Sequence, residues 1–150
     1  MNWSERMSDS PSFRKWMLQY LAGMLLVVPL AFLVTPHLLF GIPVRSLYGF
    51  CLAVAAVMVA FAPLLYFSNR HGRKSGNWKP LFVVVGLVGE AMCVVLFYYA
   101  AKFALLSAEV ARGSAIALAV GLPFALVVDY YAGRRLFPKF FRPRNGSSAP

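Results

Sequence analysis

Hydrophobic residues along this chain fall into four long runs separated by short polar segments. The runs cover about residues 17–40, 48–67, 81–103 and 114–131. Each is close to the ~20 residues that a helix needs to cross ~30 Å of hydrocarbon. The first two contain no charged residue. None alternates strictly between apolar and polar as a barrel strand does, and each is too long for one. The pattern predicts an all-α integral membrane protein: a four-transmembrane-helix bundle over residues 17–131. A tail of residues 1–16 precedes it and a basic tail of residues 132–150 follows it.

Composition excludes the soluble alternative. Apolar residues make up 60% of the chain and charged residues 13%, with a mean hydropathy of +0.66. An average soluble domain is about 45–50% apolar and about 25% charged. A soluble domain of 150 residues has too much surface to hide such an excess. The first run is expected to remain as an anchor, because "LVTPHLLFG" offers no small-x-small cleavage site. Met7 opens "MSDSPSFRKW" and is a second candidate start.

The net charge of +10 is distributed by side. Arg6, Arg14 and Lys15 precede the first run, and Arg70, Arg73, Lys74 and Lys79 lie between the second and third. Arg134, Arg135, Lys139, Arg142 and Arg144 follow the fourth. With four spans these segments share one side, and only Arg45, Lys102 and Arg112 fall on the other. The asymmetry predicts cytoplasmic termini in a bacterial-type inner membrane. Topology accounts for the charge, so nucleic acid is not expected as a partner. Trp3, Trp16, Trp78, Tyr66, Tyr130 and Tyr131 fall at the basic ends of the runs, and Tyr48, Tyr98 and Tyr99 at the others. Such positions suit rings that sit half in water.

The C-terminal "GRRLFPKFFRPRNGSSAP" interleaves Arg134, Arg135, Lys139, Arg142 and Arg144 with Leu136, Phe137, Phe140 and Phe141. These cations are candidates for contact with anionic lipid headgroups. Plain positive-inside anchoring explains the same residues.

Little else carries chemistry. Cys51 and Cys93 differ in depth by roughly 10 Å, too far for a disulfide. His37 and His71 lie at opposite ends, and no metal-ligand spacing occurs. No phosphate-cradling loop or nucleophile–base set is found, so no cofactor and no enzymatic activity are expected.

Pro29, Pro63 and Pro123 interrupt runs one, two and four. Each removes a backbone donor and displaces the carbonyl four residues earlier, those of Leu25, Val59 and Ala119. These lie roughly 12, 12 and 18 Å from the basic ends, and Glu90 lies roughly 13 Å deep in run three. A carboxylate at mid-membrane costs about 2.5–3.5 kcal/mol. Glu90 is therefore expected to hold its proton, to face the bundle, or both, at the level of the loosened carbonyls. A buried hydrogen bond that fixes helix register is the simpler role; proton or cation handling is the functional one. Asp129 is expected to pair with Arg134 or Arg135 at the interface, and Glu109 to be solvated or to cap the fourth helix. Gly113, Ala117, Gly121 and Ala125 form a small-xxx-small row suited to close helix packing. A faint repeat relates "AFAPLLYFSNRHGRK" to "AVGLPFALVVDYYAGRR".

Two functions fit this outline best, and a third, lipid handling, rests on the basic-aromatic tail alone. The first is a non-enzymatic protein that binds a membrane partner, as an accessory subunit or an immunity-like protein. The second is the protomer of an oligomeric transporter for an ion or small solute that uses Glu90. Size, short outer connections and the lack of a catalytic set favour the first.

Overall fold

A computed structural model describes residues 12–142. Their helices follow the order of the apolar runs. They are α1 (Phe13–Phe40), α2 (Val44–Ser75), α3 (Lys79–Lys102), α4 (Ala108–Leu136) and a short α5 (Pro138–Phe141). Helices α1 to α4 are each long and apolar enough to cross a membrane.

The helices overrun the apolar runs that predict them. At 1.5 Å per residue the 32 residues of α2 reach about 48 Å, well beyond ~30 Å of hydrocarbon. The basic segment expected as a loop after Phe67 is therefore mostly helix. Asn69, Arg70, His71 and Lys74 tolerate helix well enough, and Arg73 and Lys74 in its last turn complement the carbonyl end. α2 stops at Gly76, whose φ of 71° is left-handed and whose N–H donates to the Gly72 carbonyl at 2.9 Å. Only residues 76–78 then connect α2 to α3.

α1 begins at Ser12, whose Oγ accepts from the Lys15 N–H at 3.4 Å. Its irregular stretch is not where Pro29 alone would place it. Leu30–Val34 is π-helical, and Leu30 O accepts both the Thr35 N–H and, at 3.0 Å, the Thr35 hydroxyl. Pro36 explains this. It lacks an N–H, and its ring would press on the carbonyl of Phe32 in an unbroken α-helix. One wider turn moves that carbonyl aside.

The α1–α2 turn is closed by two features. Gly41 takes a φ of 64°, and His37 Nδ1 donates to the Ile42 carbonyl at 2.8 Å. Ile42 is buried in the core. His37→Ala is expected to cost about 1 kcal/mol, the net value of one such bond. Thermal unfolding in detergent measures it, and His37→Asn is expected to retain part of the loss. At the opposite turn Ser107, not Glu109, caps α4: its Oγ accepts from the Val110 N–H at 3.3 Å. Glu109 lies in the first turn, where a negative charge favours the helix N-terminus.

Successive helices run antiparallel and pack chiefly on their chain neighbours. Phe13 at the start of α1 meets Tyr66 near the end of α2, with ring centroids 5.1 Å apart. Phe50 of α2 meets Tyr99 of α3 at 5.3 Å, and Phe82 of α3 meets Tyr130 of α4 at 5.4 Å. The termini of the described chain and the α2–α3 turn thus share one end, with Arg70, Arg73, Lys79, Arg134 and Arg135. The core lies toward the other end, where α1, α2 and α3 meet. Val28, Ile42, Leu47, Phe50 and Val54 form it, with Phe32, Met92, Val95 and Tyr99 packed around them. α4 stands outside this core and leans on α3.

Candidate functional site: the α3–α4 groove

The α3–α4 contact is built on two glycines of α3. A Cβ on Gly89 would lie 2.5 Å from Leu122 Cδ2, and one on Gly86 would lie 3.0 Å from Leu126 Cδ1. Missing side chains on α3 let leucines of α4 seat against its backbone. Glu90 follows Gly89 by one residue, about 100° around the helix. It is therefore turned off the contact line and into the groove beside it. That groove has a volume of about 330 Å³ and mainly apolar walls, with Gly86, Leu87, Leu126 and Val127 along it. Lys79, Tyr130 and Tyr131 line one end of it, and Glu90 and Pro123 lie further in.

Glu90 is half-buried. Its carboxyl has no hydrogen-bond or ion-pair partner among the described residues. Of the three prolines read as a polar layer, only Pro123 shares the groove with Glu90. The Ala119 carbonyl, which loses its α-helical donor to Pro123, belongs to the same stretch of α4. Pro29 and Pro63 lie elsewhere, on α1 and α2. The Leu25 side chain is 80% exposed, on the outer surface of α1. Depth along a helix is legible in sequence, whereas which helices meet at that depth is not. Because Glu90 lacks a partner, Glu90→Gln is expected to change stability by no more than about 0.5 kcal/mol. A larger loss on thermal unfolding would mean that the acid holds the helices in register.

A carbonyl near the α2 proline does receive a side-chain donor, but from α1. Tyr20 Oη donates to the Met58 carbonyl at 3.1 Å, across a second groove of about 350 Å³ lined by Gly23, Val54 and Met92. Tyr20 was not among the residues singled out by sequence. Its position one turn after Trp16, stacked on that ring at 5.0 Å, looks like an ordinary belt position.

The small-residue row of α4 faces away from the other helices. Gly113, Ala117, Gly121 and Ala125 are all exposed, and a Cβ on Gly113 or Gly121 would meet nothing within 4 Å. Within the chain it is the Gly86–Gly89 pair of α3 that brings two helices close.

Asp129 is exposed and forms no ion pair with Arg134 or Arg135 among the described residues. The spacing gives the reason. Partners on one helix face lie three or four residues apart, and these lie five and six apart. Cys51 and Cys93 are free and half-buried.

Arg134, Arg135, Lys139 and Arg142 are exposed at the basic end, and Arg144 lies outside the described residues. The tail there is more ordered in its contacts than a solvated end. Phe141 meets Trp78 and Tyr130, with centroids 6.5 and 5.8 Å apart, and packs on Gly133. Trp78 in turn packs against Gly72 of α2, where any Cβ would overlap its ring. Leu136, Phe137 and Phe140 remain exposed around this anchor.

No family model, curated protein or solved structure matches this chain.

Proposed function

We propose that this chain is a multi-pass inner-membrane protein that works by binding another membrane protein, as an accessory subunit or an immunity-like protein, with both termini in the cytoplasm. The observation that carries this reading is the one-sided packing of α4. One face of α4 leans on α3, while Gly113, Ala117, Gly121 and Ala125 lie exposed on the remainder with open space over the glycines. In lipid, helices associate by close packing, and small residues allow it. The cytoplasmic side is inferred from the excess of cations at the end where the described chain begins and finishes.

The test is purification from native membranes in mild detergent. A co-purifying membrane protein is expected with the parent chain and is expected to be lost in Gly121→Ile. That substitution fills no space inside the chain, so its melting temperature is expected to stay the same. Retention of the partner by a stable Gly121→Ile variant would defeat this assignment of the face.

A transporter protomer is the second reading, favoured by the unpaired Glu90 in its groove. It predicts a stable homo-oligomer by native mass measurement and loss of proton- or cation-dependent uptake in Glu90→Gln. A monomer with one foreign partner, and full function in Glu90→Gln, removes it.

A further inference from the structure

The two ends of the α3–α4 groove differ in chemistry. Lys79 lines the end where α3 begins, with Tyr130 and Tyr131 on the opposite wall. Arg134 follows these tyrosines at spacings of four and three, so it continues the groove-lining stripe of α4 by one turn. Neither cation has an ion-pair partner among the described residues. α5 folds back here, because Phe141 is held by Trp78 and Tyr130. Lys139 and Arg142 are thereby kept at the same end. Tryptophan and tyrosine favour the headgroup level of a bilayer, so these cations stand where lipid phosphates lie.

Further in, the groove is apolar. Gly86 lines it where Leu126 seats against the α3 backbone, and Leu126 and Val127 form the α4 wall. Glu90 lies at the inner end, roughly 16 Å from Lys79 along α3. A long apolar trough that opens between two unpaired cations at headgroup depth fits an amphiphile with a negative head.

We propose that this groove holds one anionic phospholipid of the surrounding bilayer, its acyl chain along Gly86, Leu126 and Val127 and its phosphate between Lys79 and Arg134. Charge complementarity selects the headgroup: a zwitterionic lipid fills the trough equally well but leaves the cations uncompensated. Each cation near an anionic surface contributes roughly fivefold in affinity. The site is independent of the partner-binding face, which lies on the glycine row of α4.

Trp78 is a built-in reporter, because it lies at the proposed headgroup. Replacing Trp3 and Trp16 by Phe leaves it as the sole indole of the chain. This variant is placed in phosphatidylcholine vesicles doped with dibrominated phosphatidylglycerol or with the same amount of dibrominated phosphatidylcholine. Stronger quenching by the brominated phosphatidylglycerol is expected. Lys79→Gln with Arg134→Gln is expected to lower the preference by about 25-fold. Arg14→Gln with Lys15→Gln removes the same charge from α1 at the same end and is expected to leave it unchanged. Val127→Phe fills the trough without altering charge and is expected to weaken quenching as well. Excess inorganic phosphate is expected not to compete.

Four results would overturn the proposal. The first is equal quenching by the two brominated lipids. The second is equal loss in the α1 control, which would mean generic surface charge. The third is full selectivity in a folded Val127→Phe variant. The last is displacement by phosphate alone, which would mean an anion site with no acyl chain.

Discussion

Gly89→Leu is expected to destabilise the α3–α4 pair by about 1–3 kcal/mol, the usual cost of forcing volume into a packed contact. The position is set by geometry, because its missing Cβ lies 2.5 Å from the Leu122 side chain. Two effects oppose each other there. Any residue other than proline gains up to about 1 kcal/mol of helix propensity over glycine. Alanine meets only the flexible end of Leu122, so Gly89→Ala is expected to fall near zero. Leucine adds three more carbons at the same place, and overpacking wins. Stability is read by thermal unfolding in detergent, and the α3–α4 contact by engineered disulfide formation between neighbouring positions. Adding Leu122→Ala is expected to restore a substantial part of the loss, since neighbouring residues couple by about 0.5–3 kcal/mol. No rescue by Leu122→Ala would mean that the helices do not meet through this pair.

Gly72→Val is expected to dislodge Trp78 and, with it, the C-terminal helix. A Cβ at residue 72 would fall within the contact distance of three atoms of the Trp78 ring. An indole is rigid and cannot yield as a leucine methyl does. It is also held from the α4 side by Phe141, which packs on Gly133. The ring must therefore leave as a unit, at a cost of about 1–3 kcal/mol. In the background with Trp3 and Trp16 replaced by Phe, its emission is expected to shift to the red. The tail after Leu136 is expected to become sensitive to protease. Trp78→Phe is a gentler change. The indole Nε1 is buried and meets no acceptor among the described residues, so an apolar ring removes an uncompensated donor. A large loss in Trp78→Phe with none in Gly72→Val would show that Trp78 is held by something other than Gly72.

Gly86 and Gly89 stand in an apolar run just before Glu90, where sequence already lets a neighbouring backbone come close, whereas Gly72 stands in the basic segment and carries no such signal. A glycine in a membrane helix is common, and nothing in the run says which neighbour will fill the space. The row of Gly113, Ala117, Gly121 and Ala125 carries the more recognisable spacing, yet it is the row that faces outward. Spacing fixes which residues share a face, not which way the face turns. The same limit applies to Glu90. Its depth followed from counting residues at 1.5 Å each, but its neighbours depended on how helices assort. Pro123 came to it, while Pro29 and Pro63 stayed with other helices. Tyr20, rather than Glu90, reached a backbone carbonyl of α2.

Sequence alone determined the properties that scale with local composition and length. Four helices able to span a membrane follow from four runs of about 20 apolar residues, because every backbone polar group must be satisfied within the lipid. The clustering of cations in three segments followed too, and alternate spans bring those segments to one end. Tertiary structure decided what depends on residues distant in the chain. It placed Leu122 and Leu126 on the glycines of α3, folded Phe141 onto Trp78, and set Glu90 and Lys79 in one groove. Helix formation is fixed by the solvent and the local run, whereas helix packing is fixed by shape. Shape is a property of pairs of surfaces, and one surface read alone leaves its partner undetermined.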